Sequence, residues 1–202
     1  MWNLTRPADF PWTRPHPVWP QAIRNEHSQT MAGDTSTAQS LMATLGGPDD
    51  LIWPRDRFPA MELDRGHEIG SKGGHGSVRY RVVEATDSLV RFEVDPNSDL
   101  VGGHVLWFED SGDGLLRWTH QLDLELTVPA PAMRLILALH DAIIEQLLVN
   151  AEARLAGREP STRRLSPTLG AIRPAYVAAE RVISRRRGGA RGVTRPRVQI
   201  RS

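Results

Sequence analysis

From Val78 to Thr127 the chain repeats with a period of two residues, and from Met133 to Leu155 it repeats with the period of a helix. Val78, Tyr80 and Val82 alternate with Arg79, Arg81 and Val83, and Val90, Phe92 and Val94 alternate with Arg91, Glu93 and Asp95. His104, Leu106 and Phe108 share one parity, as do Leu116, Trp118, His120, Leu122, Leu124 and Leu126. Alternation with one charged face is the mark of half-buried antiparallel strands. Short Asp-, Asn-, Ser- and Gly-containing links at 85–88, 95–99 and 111–114 fit hairpin turns. Met133, Ile136, Leu137, His140, Ile143, Ile144, Leu147, Leu148, Ala151 and Leu155 then form one helical stripe, which Gly157 ends. A helix so apolar on one face must be covered, and the apolar face of the sheet is the available partner. The fold class is therefore α+β.

The rest of the chain is less regular. Thr35 or Ser36 can cap a helix over 35–47, which Gly46-Gly47-Pro48 stops. Residues 49–53 read as a short helical turn, Met61–Asp64 as a weak strand and His27–Met31 as a weaker one, so six strands at most are predicted. Five prolines in residues 1–25 deny helix and central strand, which predicts a flexible extension carrying Trp2, Trp12 and Trp19. The main domain is then 26–157, and 158–202 is an Arg-rich tail with a candidate helix at 174–187. Charge divides the same way. Residues 1–155 hold 13 basic and 22 acidic side chains, whereas 156–202 hold 12 Arg, Glu159 and Glu180. The ordinary expectation for the tail is a solvated segment or one folded onto the acidic domain, with nucleic acid or an anionic membrane as the alternative partner. The absence of cysteine excludes disulfides and thiolate chemistry. There is no apolar run of membrane-spanning length and no signal-like start, which leads to the expectation of a cytoplasmic protein.

Several local patterns carry a resemblance: Phe58 to Asp64, Gly73 to Val82, Gly103-His104, Trp118 to Leu122 and Leu139 to Ala142. With the order of elements, they resemble the START-like helix-grip superfamily (SRPBCC), in particular its bacterial polyketide cyclase/dehydrase-like members, over residues 26–156. The resemblance implies a curved antiparallel sheet wrapped around the long C-terminal helix. It also implies a cavity between them for a small hydrophobic or amphipathic molecule, with cyclase- or dehydratase-type chemistry if the chain is an enzyme; the alternative is a non-catalytic interaction protein that docks through its basic tail. The resemblance implies no cofactor. The superfamily usually has seven strands; with at most six legible, a smaller or more open pocket is expected.

Parity places His104 with Leu106 and Phe108, His120 with Trp118 and Leu122, and His140 on the helix stripe, so all three are expected between sheet and helix. His75, at the mouth of a strand, joins them, and Tyr80 and Trp118 share the inward face. Three readings stay open. These can be buried neutral histidines bonded to one another, to Tyr80 or to backbone. They can be polar contacts in a ligand pocket comprising His75, Tyr80, His104, Trp118, His120 and His140. Or His104, His120 and His140 can ligate a metal, although the spacing is no recognised metal motif and Asp141 and Glu145 lie off the stripe. Gly73-Gly74-His75-Gly76 leads into a strand and not a helix, which predicts a bulge or close backbone approach at the rim and not a phosphate cradle. Trp107 is expected to point outward, and Arg79, Arg81, Arg91 and Arg117 to line the outer face opposite Glu93, Asp95 and Glu125.

Overall fold

A computed structural model describes residues 11–96, 100–125 and 129–177. Eight strands form one antiparallel sheet in the order β1-β2-β8-β7-β6-β5-β4-β3. They are β1 (Thr13–Pro15), β2 (Ala22–Ala32), β3 (Met61–Leu63), β4 (Lys72–His75), β5 (Val78–Thr86), β6 (Leu89–Val94), β7 (Gly102–Gly112) and β8 (Leu115–Glu125). Helix α1 (Thr35–Thr44) follows β2, and α2 (Ala130–Leu155) closes the inner face of the sheet. Register shifts between Val82 and Glu84 and between Asp110 and Gly112 help to bend the sheet.

The four strands with clean alternation are where the periodicity puts them. Their inward residues, including Tyr80, Val82, Phe92, Leu106, Phe108 and Trp118, meet Leu139, Ile143, Ile144 and Leu147 of α2 in one core. A smaller cluster joins Ile23, Leu122 and Leu124 to Met133 and Leu137 nearer the start of the helix. The outer face is laced by Arg81–Glu93 at 2.9 Å and Arg91–Glu84 at 2.7 Å. Arg117 donates to the Ser28 hydroxyl, and Arg79 donates to the carbonyls of Gly76 and Val78.

Several expectations are corrected. Within the expected extension, 13–15 and 22–25 are strands of the sheet, while residues 1–10 lie outside the described residues. β1 pairs with β2, and β2 pairs with β8 through eleven successive residues, Ala22↔Glu125 to Ala32↔Leu115. The strand count rises from six to eight because β1 and β4, three and four residues long, are too short to show a period; the polar inward residues Asn25, His27 and Gln29 hide all but the end of β2. Of the two arrangements expected for the tail, the one folded onto the domain is found over residues 158–177. Arg163 N–H donates to Gln146 Oε1 at 2.7 Å, Gln146 Nε2 donates to the Ser161 carbonyl at 2.8 Å, and Arg57 donates to the Arg163 carbonyl at 2.7 Å. Residues 167–177 are helical, starting earlier than the expected 174, and Leu165, Leu169 and Tyr176 pack on the core. The remainder of the expected helix and the Arg185–Arg187 run lie outside the described residues. Finally, Asp34 and not Thr35 or Ser36 caps α1, accepting from Thr37 N–H at 2.8 Å.

Gly73 and Gly74 explain themselves sterically. A Cβ on either would come within 1.9 Å of a carbonyl oxygen on a neighbouring strand, Glu62 for Gly73 and Val78 for Gly74. Only a residue without a side chain lets β3, β4 and β5 close up there. No helix among the described residues is long and apolar enough to cross a membrane.

Candidate functional site

A cavity of about 270 Å³ lies between the sheet and α2. Apolar walls come from Val78, Val94, Leu122, Leu124, Ile136, Leu139 and Ile143, and Tyr176 closes it from the C-terminal segment. His75, Tyr80, His104, His120 and His140 all border it. Trp118 does not. It is fully buried and stacks on Phe108 with ring centroids 5.2 Å apart, so it fills the core beyond the cavity. Parity assigned its face correctly but could not say how far along the sheet the open space extends.

The polar rings form a chain across the sheet. His75 lies 4.9 Å from Trp53 and 6.0 Å from Tyr80. Tyr80 meets His104 edge-on at 4.8 Å, and His104 stacks on Phe92 at 4.6 Å. His104 Nδ1 and His120 Nε2 are 3.3 Å apart and share a proton donated from one side or the other. His120 and His140 rings are 5.0 Å apart. Strand register produces this order: Phe92 pairs with His104, and Leu106 pairs with His120, so one ring from each successive strand reaches the inner face.

Burial holds these imidazoles neutral. It pushes His75 down to about 3, with lesser contributions from His140 and Arg79. It also pushes His104 and His120 well below the usual histidine range, the neighbouring histidines adding to the effect. His140 is lowered by burial too, against the opposing pull of Asp141. Burial raises the Tyr80 hydroxyl. The chemical consequence is a set of neutral donors and acceptors rather than charges. Several are buried without a hydrogen-bonding partner among the described residues: His75 Nδ1, Tyr80 Oη, His120 Nδ1 and both nitrogens of His140.

Sequence reasoning missed a second polar group beside this one. On β2, His27 stands directly opposite His120. His27 Nε2 is 3.0 Å from Asp141 Oδ1, and Asn25 Nδ2 donates to the same oxygen at 2.7 Å. His140 Nδ1 is 3.8 Å from it. Asp141 lies off the helix stripe, as expected, but β2 wraps far enough round α2 to cover most of it. Although its burial works the other way, His140 and His27 hold its carboxyl low, at about 2. The signal available in the sequence was the alternation of Asn25, His27 and Gln29 itself, a polar period-two pattern.

No family model matches the chain, and no curated protein is similar to it. Solved structures do match. A protein from Thermobifida fusca is 17% identical with a TM-score of 0.53, covering 69% of this chain and 99% of that one. The protein XoxI from Bacillus cereus is 9% identical with a TM-score of 0.50, covering 66% and 95%. A START superfamily protein from Mycobacterium smegmatis is 15% identical with a TM-score of 0.45, covering 66% and 97%. At these identities the likeness is one of fold alone: the chain has a helix-grip arrangement, a curved antiparallel sheet wrapped around a long C-terminal helix.

Proposed function

We propose that the protein binds a small, largely apolar molecule carrying one polar group in the cavity between the sheet and α2. One observation carries the reading: an apolar cavity is bordered by His75, Tyr80, His120 and His140, each with a buried ring nitrogen or hydroxyl that has no partner among the described residues. Leaving such groups unpaired costs about 1–3 kcal/mol each, and a ligand's polar group recovers part of that. Apolar walls with a few convergent polar groups are the ordinary make-up of small-molecule sites. At about 270 Å³ the space suits a compact molecule rather than a long lipid chain.

The probe pair 1-naphthol and naphthalene tests this, since the two differ only in one hydroxyl. Fluorescence titration is expected to give saturable one-to-one binding of 1-naphthol, at least about tenfold tighter than naphthalene. Ile143→Trp, which fills the cavity, abolishes it. Binding that survives Ile143→Trp, or no binding of either probe, removes the reading.

A second reading rests on the His104–His120 contact. Two neutral imidazoles in hydrogen-bond contact, one with a free Nδ1 at the cavity, suit general acid–base work on a bound substrate. The cyclase- or dehydratase-type chemistry implied by the resemblance would use such a pair. Loss of turnover of a cyclisable substrate in His120→Gln, with binding kept, would mark it.

A further inference from the structure

The group missed by the sequence lies at a seam. His140 and Asp141 are consecutive on α2, so their side chains leave the helix about 100° apart. His140 borders the cavity, while Asp141 borders a second, outer cavity of about 510 Å³ together with Trp12, Glu145 and Arg163. His27 reaches the same place from β2. One nitrogen or oxygen from each of His27, His140 and Asp141 comes within 4.8 Å of the others.

We propose that His27, His140 and Asp141 form a binding site for one divalent transition-metal cation of the zinc class, held at the seam between β2 and α2.

Four observations support it. The donor set is two imidazoles and one carboxylate, which suits zinc and its first-row neighbours and not magnesium or calcium. The geometry is close to what such an ion needs. Bonds of about 2.0–2.2 Å set neighbouring donors about 3–3.5 Å apart. Here His27 Nε2 and Asp141 Oδ1 are 3.0 Å apart, and His140 Nδ1 and Asp141 Oδ1 are 3.8 Å apart. Small side-chain rotations close the difference. The carboxylate is already steered from behind, because Asn25 Nδ2 donates to Asp141 Oδ1 at 2.7 Å and to Thr13 Oγ1 at 2.9 Å. Partners of that kind orient a ligand and strengthen metal binding. Finally, a hydrogen bond between His27 and Asp141 satisfies those two residues but leaves both ring nitrogens of His140 unpaired. A cation at this point gives His140 a partner that no side chain supplies, and the outer cavity at Asp141 provides the way in.

The site shares His140 with the cavity but does not depend on a ligand there; uptake of 1-naphthol neither needs nor predicts a cation. The test uses the full chain without an affinity tag, stripped with chelator and titrated with Co²⁺ followed by visible absorption. One equivalent is expected to bind with an intense d–d band, and Zn²⁺ is expected to displace it. Saturating Zn²⁺ raises the unfolding midpoint. Asp141→Asn and His27→Ala each weaken binding at least about 100-fold, Asn25→Ala weakens it about 10–100-fold, and His104→Leu leaves it unchanged. Circular dichroism checks that each variant is folded. If Asp141→Asn fails to fold, His140→Gln takes its place, since it removes a ligand that holds no hydrogen bond. No stoichiometric uptake, uptake with only the weak absorption of hydrated Co²⁺, or equal loss in His104→Leu would overturn the assignment.

Discussion

Two parts of the same inner sheet surface are built on opposite principles. Across β5 to β8 the inward residues are apolar, and the buried histidines stand among Phe92, Leu106 and Leu122. Along β2 the inward residues run Ile23, Asn25, His27, Gln29, Met31, three of them polar. They are met by polar groups on α2: Asp141 for Asn25 and His27, and Glu152 for Gln29 at 2.8 Å. Both surfaces are buried against the same helix. One is held by area removed from water and the other by matched hydrogen bonds. Apolar burial is non-directional and tolerates an imperfect fit, leaving room for a cavity. The polar seam tolerates little, because each buried group needs its own partner.

The contrast is sharpest under truncation. Trp118→Ala, at the filled end of the apolar surface, is expected to lose about 3–5 kcal/mol in urea unfolding. Leu135→Ala, on the cavity wall and 39% exposed, is expected to cost less than about 1 kcal/mol. Equal losses would show that the cavity is filled in solution.

The seam answers to pairing and not to volume. Asp141→Ala removes the acceptor of both Asn25 and His27 and is expected to cost about 1–3 kcal/mol despite the small change in size. Asp141→Asn keeps an acceptor oxygen and should recover most of that. If the two variants are equally destabilised, charge and not hydrogen bonding holds the seam.

Acid separates the two parts in smaller steps. His75 is held neutral down to about 3, whereas the unfolded chain takes up that proton near its ordinary 6.5. The unfolded state therefore binds more protons between those values. Stability is complete above pH 6.5 and falls as pH drops toward 3, by up to about 1.4 kcal/mol per pH unit for this residue. His104 and His120, lowered in the same direction, steepen the fall. His75→Phe is expected to flatten the profile between pH 6 and 4, read from urea midpoints at each pH. An unchanged slope would mean that His75 is already hydrated in the folded protein.

The same contrast accounts for what could be read in advance. β5 to β8 and α2 were legible because hydrophobic alternation reports a strand or helix with an apolar neighbour. His104, His120 and His140 were legible because parity carried them onto the same surface as Leu106, Trp118 and Ile143. Of β2 only 27–31 was legible, and weakly, since Asn25, His27 and Gln29 face polar partners more than a hundred residues away in the chain. β1 was missed, and the packing of 158–177 was left as one of two alternatives, for a related reason. Proline content and positive charge describe what a segment avoids by itself, and not what a groove on α2 will accept.

The sequence by itself determined that a sheet and a long helix must cover each other, and which face of each is inward. Periodicity is a local property, and burial of apolar area enforces it whatever the partner. Only the tertiary structure decided that Trp118 fills space while His75, Tyr80 and His120 border it. It alone decided that Asp141 lies half-buried beside His27 and His140. Depth along a curved sheet and pairing between distant polar groups depend on how the strands bend round the helix, and no residue's local pattern records that bend.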